Sequence, residues 1–294
     1  MDNSTLIKVL GTAQDAGYPQ LNCSCVHCKA ARNDRSIKRL QSSIAVVDKI
    51  EKKTFMLDAT PSFSEQLDNL NLLAEADKLG TKHLSGILLT HAHLGHYTGL
   101  MYLGKEALNI SNFPIYLSQK MYNFLKNNAP WSDLFKNNNL KAVVFEFEEK
   151  YQLSENITFT AVEVEHRNEH ADTAAFIVTA GSKRFLYLPD FDSWSNFEQK
   201  FRKIIKRVDY AFIDGTFFDK EELGEIRGRD LAEVPHPPIK ETIKLLSDLD
   251  ESEKNKIYFT HFNHTNRILD QDKIKEKLVR KNGFNILNEG ETLK

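Results

Sequence analysis

Short apolar runs and amphipathic stretches alternate along the whole chain. LIKVLG (6–11), rich in β-branched and apolar residues, predicts a first strand. SSIAVVD (42–48) and TFMLDAT (54–60) predict a strand pair, and the segment 62–80 has helical apolar spacing that ends at Gly80. HLSGILLT (83–90) is a short apolar run, which reads as a buried strand delivering His91 at its C-terminal end. YTGLMYLGKEAL predicts a helix, FPIYLS (113–118) a strand, and MYNFLKNNAP (121–130) a helix closed by Pro130. Strand character returns in AVVFEFE (142–148), ITFTAVEVE (157–165), AAFIVTA (174–180) and RFLYLPD (184–190). Helix 196–208, strand YAFIDGT (210–216), helix 239–249, strand KIYFTHF (256–262) and a basic C-terminal helix before FNIL complete the pattern.

Strands come first as pairs and later alternate with helices, with no internal repeat and no Pro/Gly/Ser-rich linker. This order predicts one domain over 1–294, of layered α and β structure with helices outside packed sheets. Functional residues recur at strand ends, where loops converge on one rim. The 294 residues carry 39 Lys+Arg against 41 Asp+Glu, a net charge of −2. That balance argues against a general nucleic-acid partner; a small-molecule substrate is the expected partner. No run of about 18 apolar residues predicts a membrane span. MDNSTLIKVLG lacks the basic and long apolar regions of a secretory signal, so cytoplasm is the default expectation.

Candidate chemistry lies in the cysteines and histidines. The three cysteines, Cys23, Cys25 and Cys28, fall in LNCSCVHC. An odd count argues against a disulfide framework, and three clustered thiolates suit tetrahedral zinc with a fourth ligand from elsewhere. His91, His93 and His96 share the window THAHLGH. At spacing i, i+2 in an extended strand end, His91 and His93 turn their rings to one side, and His96 on the following turn faces a second position.

THAHLGH after the strand GILLT resembles the H-x-H-x-D-H signature of the metallo-β-lactamase superfamily. GTAQDAGYPQLNCSCVHCKAAR, HRNEHADTAAF, DGTFF and HPPI extend the likeness to the pyrroloquinoline quinone biosynthesis protein B branch, over roughly residues 6 to 266. The cysteine cluster is also similar to that of phosphoribosyl cyclic phosphodiesterases. The resemblance implies an αββα four-layer sandwich. It implies a first metal held by His91, His93 and His166, a bridging Asp190, and a second metal held by His96 and His261. It also implies a closed structural zinc site of Cys23, Cys25, Cys28 and His264. Homodimers are common in that superfamily, and a homodimer is one expectation here.

The chain departs from the signature at Gly95, where the motif has a carboxylate for the second metal. The centre is therefore expected to hold one or two zinc ions, with Fe or Mn as alternatives, and with His170 or Asp192 as substitutes for the lost ligand. Asp190 is expected to position or activate water, and His236 to contact substrate or donate a proton. Asp58 is expected to steady the metal loop by hydrogen bonds, Tyr97 and Thr98 to support His96, Asp214 to line the rim, and Gln14 and Asp15 to approach the metals. Three functions follow: a metal-dependent hydrolase of a phosphodiester, ester or lactone; an iron-dependent oxygenase; or a non-catalytic metal or small-molecule binding protein, favoured by Gly95.

Overall fold

In most strands both alternating faces are apolar. In the third strand Phe55 and Leu57 point one way and Met56 the other, and all three are buried. Such strands read as unbroken apolar runs because both of their faces are covered. The computed structural model describes residues 4–77, 84–224 and 235–293. The first sheet is built from β1 (Thr5–Gly11), β2 (Ser43–Asp48), β3 (Lys53–Leu57), β4 (Leu84–Leu88), β5 (Phe113–Leu117) and β6 (Leu140–Val144). The second takes β7 (Lys150–Ser154), β8 (Ile157–Val164), β9 (Thr173–Ala180), β10 (Lys183–Leu188), β11 (Tyr210–Asp214), β12 (Ile257–Thr260) and β13 (Asn285–Ile286). A last strand, β14 (Thr292–Leu293), returns to the first sheet beside β1.

The strand orders are β14-β1-β2-β3-β4-β5-β6 and β13-β12-β11-β10-β9-β8-β7. In each sheet the first strands of the half pair antiparallel and the later ones parallel. The change falls at β3–β4 in one and β10–β11 in the other. The two halves thus share a connectivity that the residues do not reveal as a repeat.

Three apolar layers hold the molecule together. Between the sheets, Ile7, Val46, Phe55 and Leu57 meet Phe159, Phe176, Tyr187 and Phe212. Outside the first sheet, Leu67, Met121, Leu125 and Leu134 bring helices Phe63–Asp77, Gln119–Asn127 and Trp131–Lys136 onto it. Outside the second, Phe201, Ile204, Ile239 and Val279 do the same for helices Glu198–Ile205, Ile239–Leu245 and Ile274–Lys281. This is the αββα order that the resemblance implies.

Local differences from the sequence pattern have simple causes. The helix expected over YTGLMYLGKEAL is a tight 3-10 turn over Thr98–Leu103 that stops at Gly104. Pro130 does not only close a helix; a further one, Trp131–Lys136, starts directly after it. β7 escapes the apolar pattern because it is a half-exposed edge strand. The helix Val26–Asn33 is hidden inside the cysteine cluster, where Cys25 caps it by accepting a hydrogen bond from the Cys28 amide. The predicted end at Gly80 and start at His83 lie outside the described residues. No described helix is long and apolar enough to cross a membrane.

Candidate metal centre

The carboxyl ends of the strands converge on one rim. β4 leads to Thr90 and His91, β3 to Asp58, β8 to His166, β10 to Asp190, β11 to Asp214 and β12 to His261. The ligand atoms of His91, His93, His166 and Asp190 lie within 4.8 Å of one another. So do those of Asp15, His96 and His261, and those of Asp190, His236 and His261. Asp190 reaches both sides: its carboxylate is 3.3 Å from His91 Nε2, 3.1 Å from His166 Nε2 and 3.7 Å from His261 Nε2.

Partners on the far side of each ring fix its orientation. The Thr90 hydroxyl donates to Asp58, so its oxygen accepts from His91 Nδ1 at 2.9 Å. The Thr216 hydroxyl donates to Asp214, so its oxygen accepts from His261 Nδ1, also at 2.9 Å. His96 Nδ1 is 2.7 Å from Asp58 Oδ2, and His166 Nδ1 is 2.9 Å from Asp192 Oδ1. With Nδ1 engaged, His91, His96, His166 and His261 each direct Nε2 inward, the arrangement that a metal-ligating imidazole uses. His93 is the exception, turning Nδ1 toward His166 Nε2 at 3.1 Å.

The inward atoms are the test of fit. His91 Nε2, His96 Nε2, His261 Nε2, Asp190 Oδ1 and Asp15 Oδ1 are buried and make no hydrogen bond. Asp190 Oδ1 makes none although His166 Nε2 and His236 Nδ1 are each 3.1 Å away. Buried polar atoms without partners are costly unless something else engages them, and these are nitrogen and oxygen donors facing one volume. The donor set fits a divalent cation.

Charge in the cluster is sharply divided. Burial, with the neighbouring His96, drives His91 well below its ordinary value, and burial with His166 lowers His93 to about 4. Burial acts the same way on His96, but Asp58 and Asp15 overcome it and raise that ring to about 10. Asp190 and Asp192 likewise overcome burial at His166 and raise it to about 9. Burial alone would raise Asp190; the surrounding His166, His261 and His236 hold it well below the carboxylate range.

Several expected roles change in the structure. His170 stacks on Phe124 with ring centroids 5.3 Å apart, outside every ligand set, and Asp192 is engaged by His166. Neither replaces the carboxylate missing at Gly95. Tyr97 packs on Phe124 and Trp131, and the Thr98 hydroxyl bonds Leu94 O, so neither supports His96. Asp58 does, and Tyr187 and Thr90 in turn donate to Asp58. Asp214, at the end of β11, is fully buried beneath the rim rather than lining its surface. It holds His236 Nδ1 at 2.7 Å, which places His236 beside Asp190. That pairing across 22 residues leaves no spacing signal in the chain.

A second cluster brings Cys23, Cys25, Cys28 and His264 together, with ligand atoms within 4.8 Å. Burial pushes the Cys28 thiol up to about 12, so at neutral pH this sulfur keeps its proton unless a cation engages it. His27, which sequence reasoning passed over, ties the two loops: Nδ1 donates to His264 O at 2.9 Å and Nε2 meets Asp270 at 2.6 Å. The 12–14 segment also pairs with Phe262 through Gln14 N to Phe262 O and Phe262 N to Thr12 O. The cysteine cluster is therefore braced against the segment that carries His261.

This fold and this clustering of histidines and carboxylates define the class: the chain belongs to the beta-lactamase superfamily, whose domain model matches residues 53–262. Similar full-length proteins include coenzyme PQQ synthesis protein B of Acinetobacter baumannii (strain AB0057), 25% identical over 97% of this chain and 98% of that protein. The same-named protein of Pseudomonas entomophila (strain L48) is 26% identical over 98% and 99%. Among solved structures, Zn(2+)-bound PqqB from Methylobacterium extorquens shares the fold with a TM-score of 0.79 at 22% identity, covering 98% and 99% of the two chains. A diphosphatase from the PhnP family does so with 0.67 at 20% identity, covering 98% and 96%.

Two outcomes follow. His96 and His166 hold protons up to pH about 10 and about 9, above the ordinary 6.5, so at pH 7.5 zinc must displace them. Zinc binding to protein whose cysteine site stays loaded should release protons, and affinity should fall as pH drops. Calorimetry in buffers of different ionisation enthalpy reads this, and a buffer-independent heat contradicts it. Cys25→Ser should lose one zinc per chain and lower the melting temperature by at least about 5 °C, a loss of roughly 2 kcal/mol at this size. Unchanged metal content and melting temperature would refute the bracing role.

Proposed function

We propose that the protein is a metal-dependent hydrolase of a small-molecule phosphodiester, ester or lactone. The observation that carries this reading is the buried carboxylate of Asp190, which completes the ligand set of His91, His93 and His166 and also lies 3.8 Å from His96 Nε2 and 3.7 Å from His261 Nε2. His91, His93 and His166 with Asp190 would hold one ion, and His96 and His261 with Asp190 its neighbour. Zinc suits these donors, and iron or manganese accepts the same set. A divalent ion bound there supplies Lewis acidity toward a phosphoryl or carbonyl oxygen and brings the pKa of a bound water toward about 7. The cysteine cluster with His264 is coordinatively complete, and we assign it a structural zinc.

The chain's own residues supply orientation and proton transfer. Thr90, Asp58, Asp192 and Thr216 hold the rings in place before substrate arrives, so little reorganisation remains for the reaction. His236 is fixed by Asp214 and has a one-tenth exposed side chain, at the border between the ligand sets and solvent. In this reading it gives a proton to the departing oxygen, and Asp214 keeps the ring aligned and stabilises its charge. The fold shared with a PhnP-family diphosphatase favours a phosphate substrate. The near-neutral net charge supports a small molecule over a nucleic acid.

A second reading, an iron-dependent oxygenase, is favoured by similarity to coenzyme PQQ synthesis protein B along 97% of the chain. Metal analysis with hydrolysis and oxygen-uptake assays separates the two. On a phosphodiester with a poor alcohol leaving group, His93→Ala should cost at least about 10²-fold in kcat/KM. His236→Gln should cost about 10²–10⁴-fold. With p-nitrophenolate as leaving group, which departs without a proton, the His236→Gln deficit should largely vanish. Absence of hydrolysis across phosphodiesters, esters and lactones, with oxygen uptake by the iron-loaded protein, would establish the oxygenase instead.

A further inference from the structure

We infer that Asp15 supplies the second metal's carboxylate from the loop after β1, and that Gly95 is the other half of the same exchange. The inference rests on the reading of this cluster as a metal centre. The family motif carries its carboxylate at position 95, in the same turn as His96. Here a Cβ built on Gly95 would lie 2.1 Å from Asp15 Oδ1 and 2.9 Å from Asp15 Cγ. The Asp15 carboxyl therefore fills the volume into which a side chain at 95 would project. The group has been moved to another loop while its place in space is kept.

Three further observations support the assignment. Asp15 Oδ1 is buried, makes no hydrogen bond, and stands 3.4 Å from His96 Nε2, which also has none. Its ligand atom lies within 4.8 Å of those of His96 and His261. The loop position is built into the fold: Ala13 bridges both Gln41 and Phe262, and Gln14 N donates to Phe262 O at 3.0 Å. Backbone pairing thus places Asp15 relative to His261 through the residue next to His261. The exchange is also exclusive, because the Cβ at 95 would come within 2.7 Å of Asp15 Cα, a backbone atom that no rotamer change can move aside. A glycine at 95 is what lets the Asp15 loop seat. With Asp15 and Asp190 on one ion, two carboxylates balance a divalent charge, as the motif carboxylate and bridging aspartate would.

The experiment uses full-length protein with its cysteine site loaded. It reads zinc per chain after gel filtration, the affinity for each added ion by competition with a chromophoric chelator, and the visible spectrum of the cobalt-substituted protein. Asp15→Asn keeps the side-chain shape, and circular dichroism checks its fold. It should retain the cysteine-site ion and the ion dependent on His93, but bind the remaining ion at least about 100-fold more weakly, with an altered cobalt spectrum. Gly95→Ala leaves every ligand in the sequence yet should weaken the same ion by displacing the Asp15 loop. Wild-type affinities and an unchanged cobalt spectrum in Asp15→Asn would overturn the inference and leave Asp15 as a counter-ion of His96. Should the wild-type protein and His93→Ala both hold only the cysteine-site ion, the metal-centre reading itself falls, and this inference with it.

Discussion

The buried carboxylate of Asp190 is the constraint around which the rest of the rim is arranged. An anion removed from water costs several kcal/mol unless it is closely compensated. Here the compensation comes from five imidazoles, His91, His96, His166, His236 and His261, each within 4 Å of its oxygens. Rings crowded that closely need their own outer tethers, which explains why Asp58, Asp192 and Asp214 stand behind His96, His166 and His236. The centre is thus a carboxylate ringed by imidazoles, with carboxylates standing behind three of them. Removing His236 would leave the fully buried Asp214 without its 2.7 Å imidazole partner.

That arrangement is held at a backbone cost. Asp58, His261 and His236 have φ of 68°, 63° and 143°, in the left-handed half that non-glycine residues avoid. Each such position costs on the order of 1–3 kcal/mol and persists where its surroundings over-determine it. The hydrogen bonds to Thr90, Thr216 and Asp214 do so here. Of the non-glycine residues in this left-handed half, Asp58, His236 and His261 are the ones that lie at the candidate metal centre, where their backbone conformation aims their side chains at it.

Much of this was legible in the chain. The strands covered on both faces announced themselves as apolar runs, and the histidines after β4, β8 and β12 pointed to a single rim. What the sequence does not display depends on contacts between distant residues. Nothing at position 214 or 236 announces their pairing, because a separation of 22 residues along the chain carries no periodic signal. β7 leaves no apolar run in the sequence because an edge strand keeps one side polar. Gly95 read as a loss, since a residue's absence is visible in one dimension while its replacement is visible only in three. His170 and Asp192 were reasonable substitutes by composition; packing on Phe124 and bonding to His166 gave them other work.

The repeated connectivity of the two halves has a consequence for how the molecule lives in a cell. Three of the four ligand sets draw residues from both halves: Cys23, Cys25 and Cys28 with His264, His91 and His93 with His166 and Asp190, and Asp15 and His96 with His261. An ion bound in any of them would act as a rivet across the seam between the sheets. Its binding free energy adds to the stability of the joined state in proportion to the logarithm of free metal concentration. A chain short of metal would open more often along that seam and expose the apolar layer between its sheets to proteases. The amount of this protein would then follow the supply of metal, and abundance itself would become a readout of metal status.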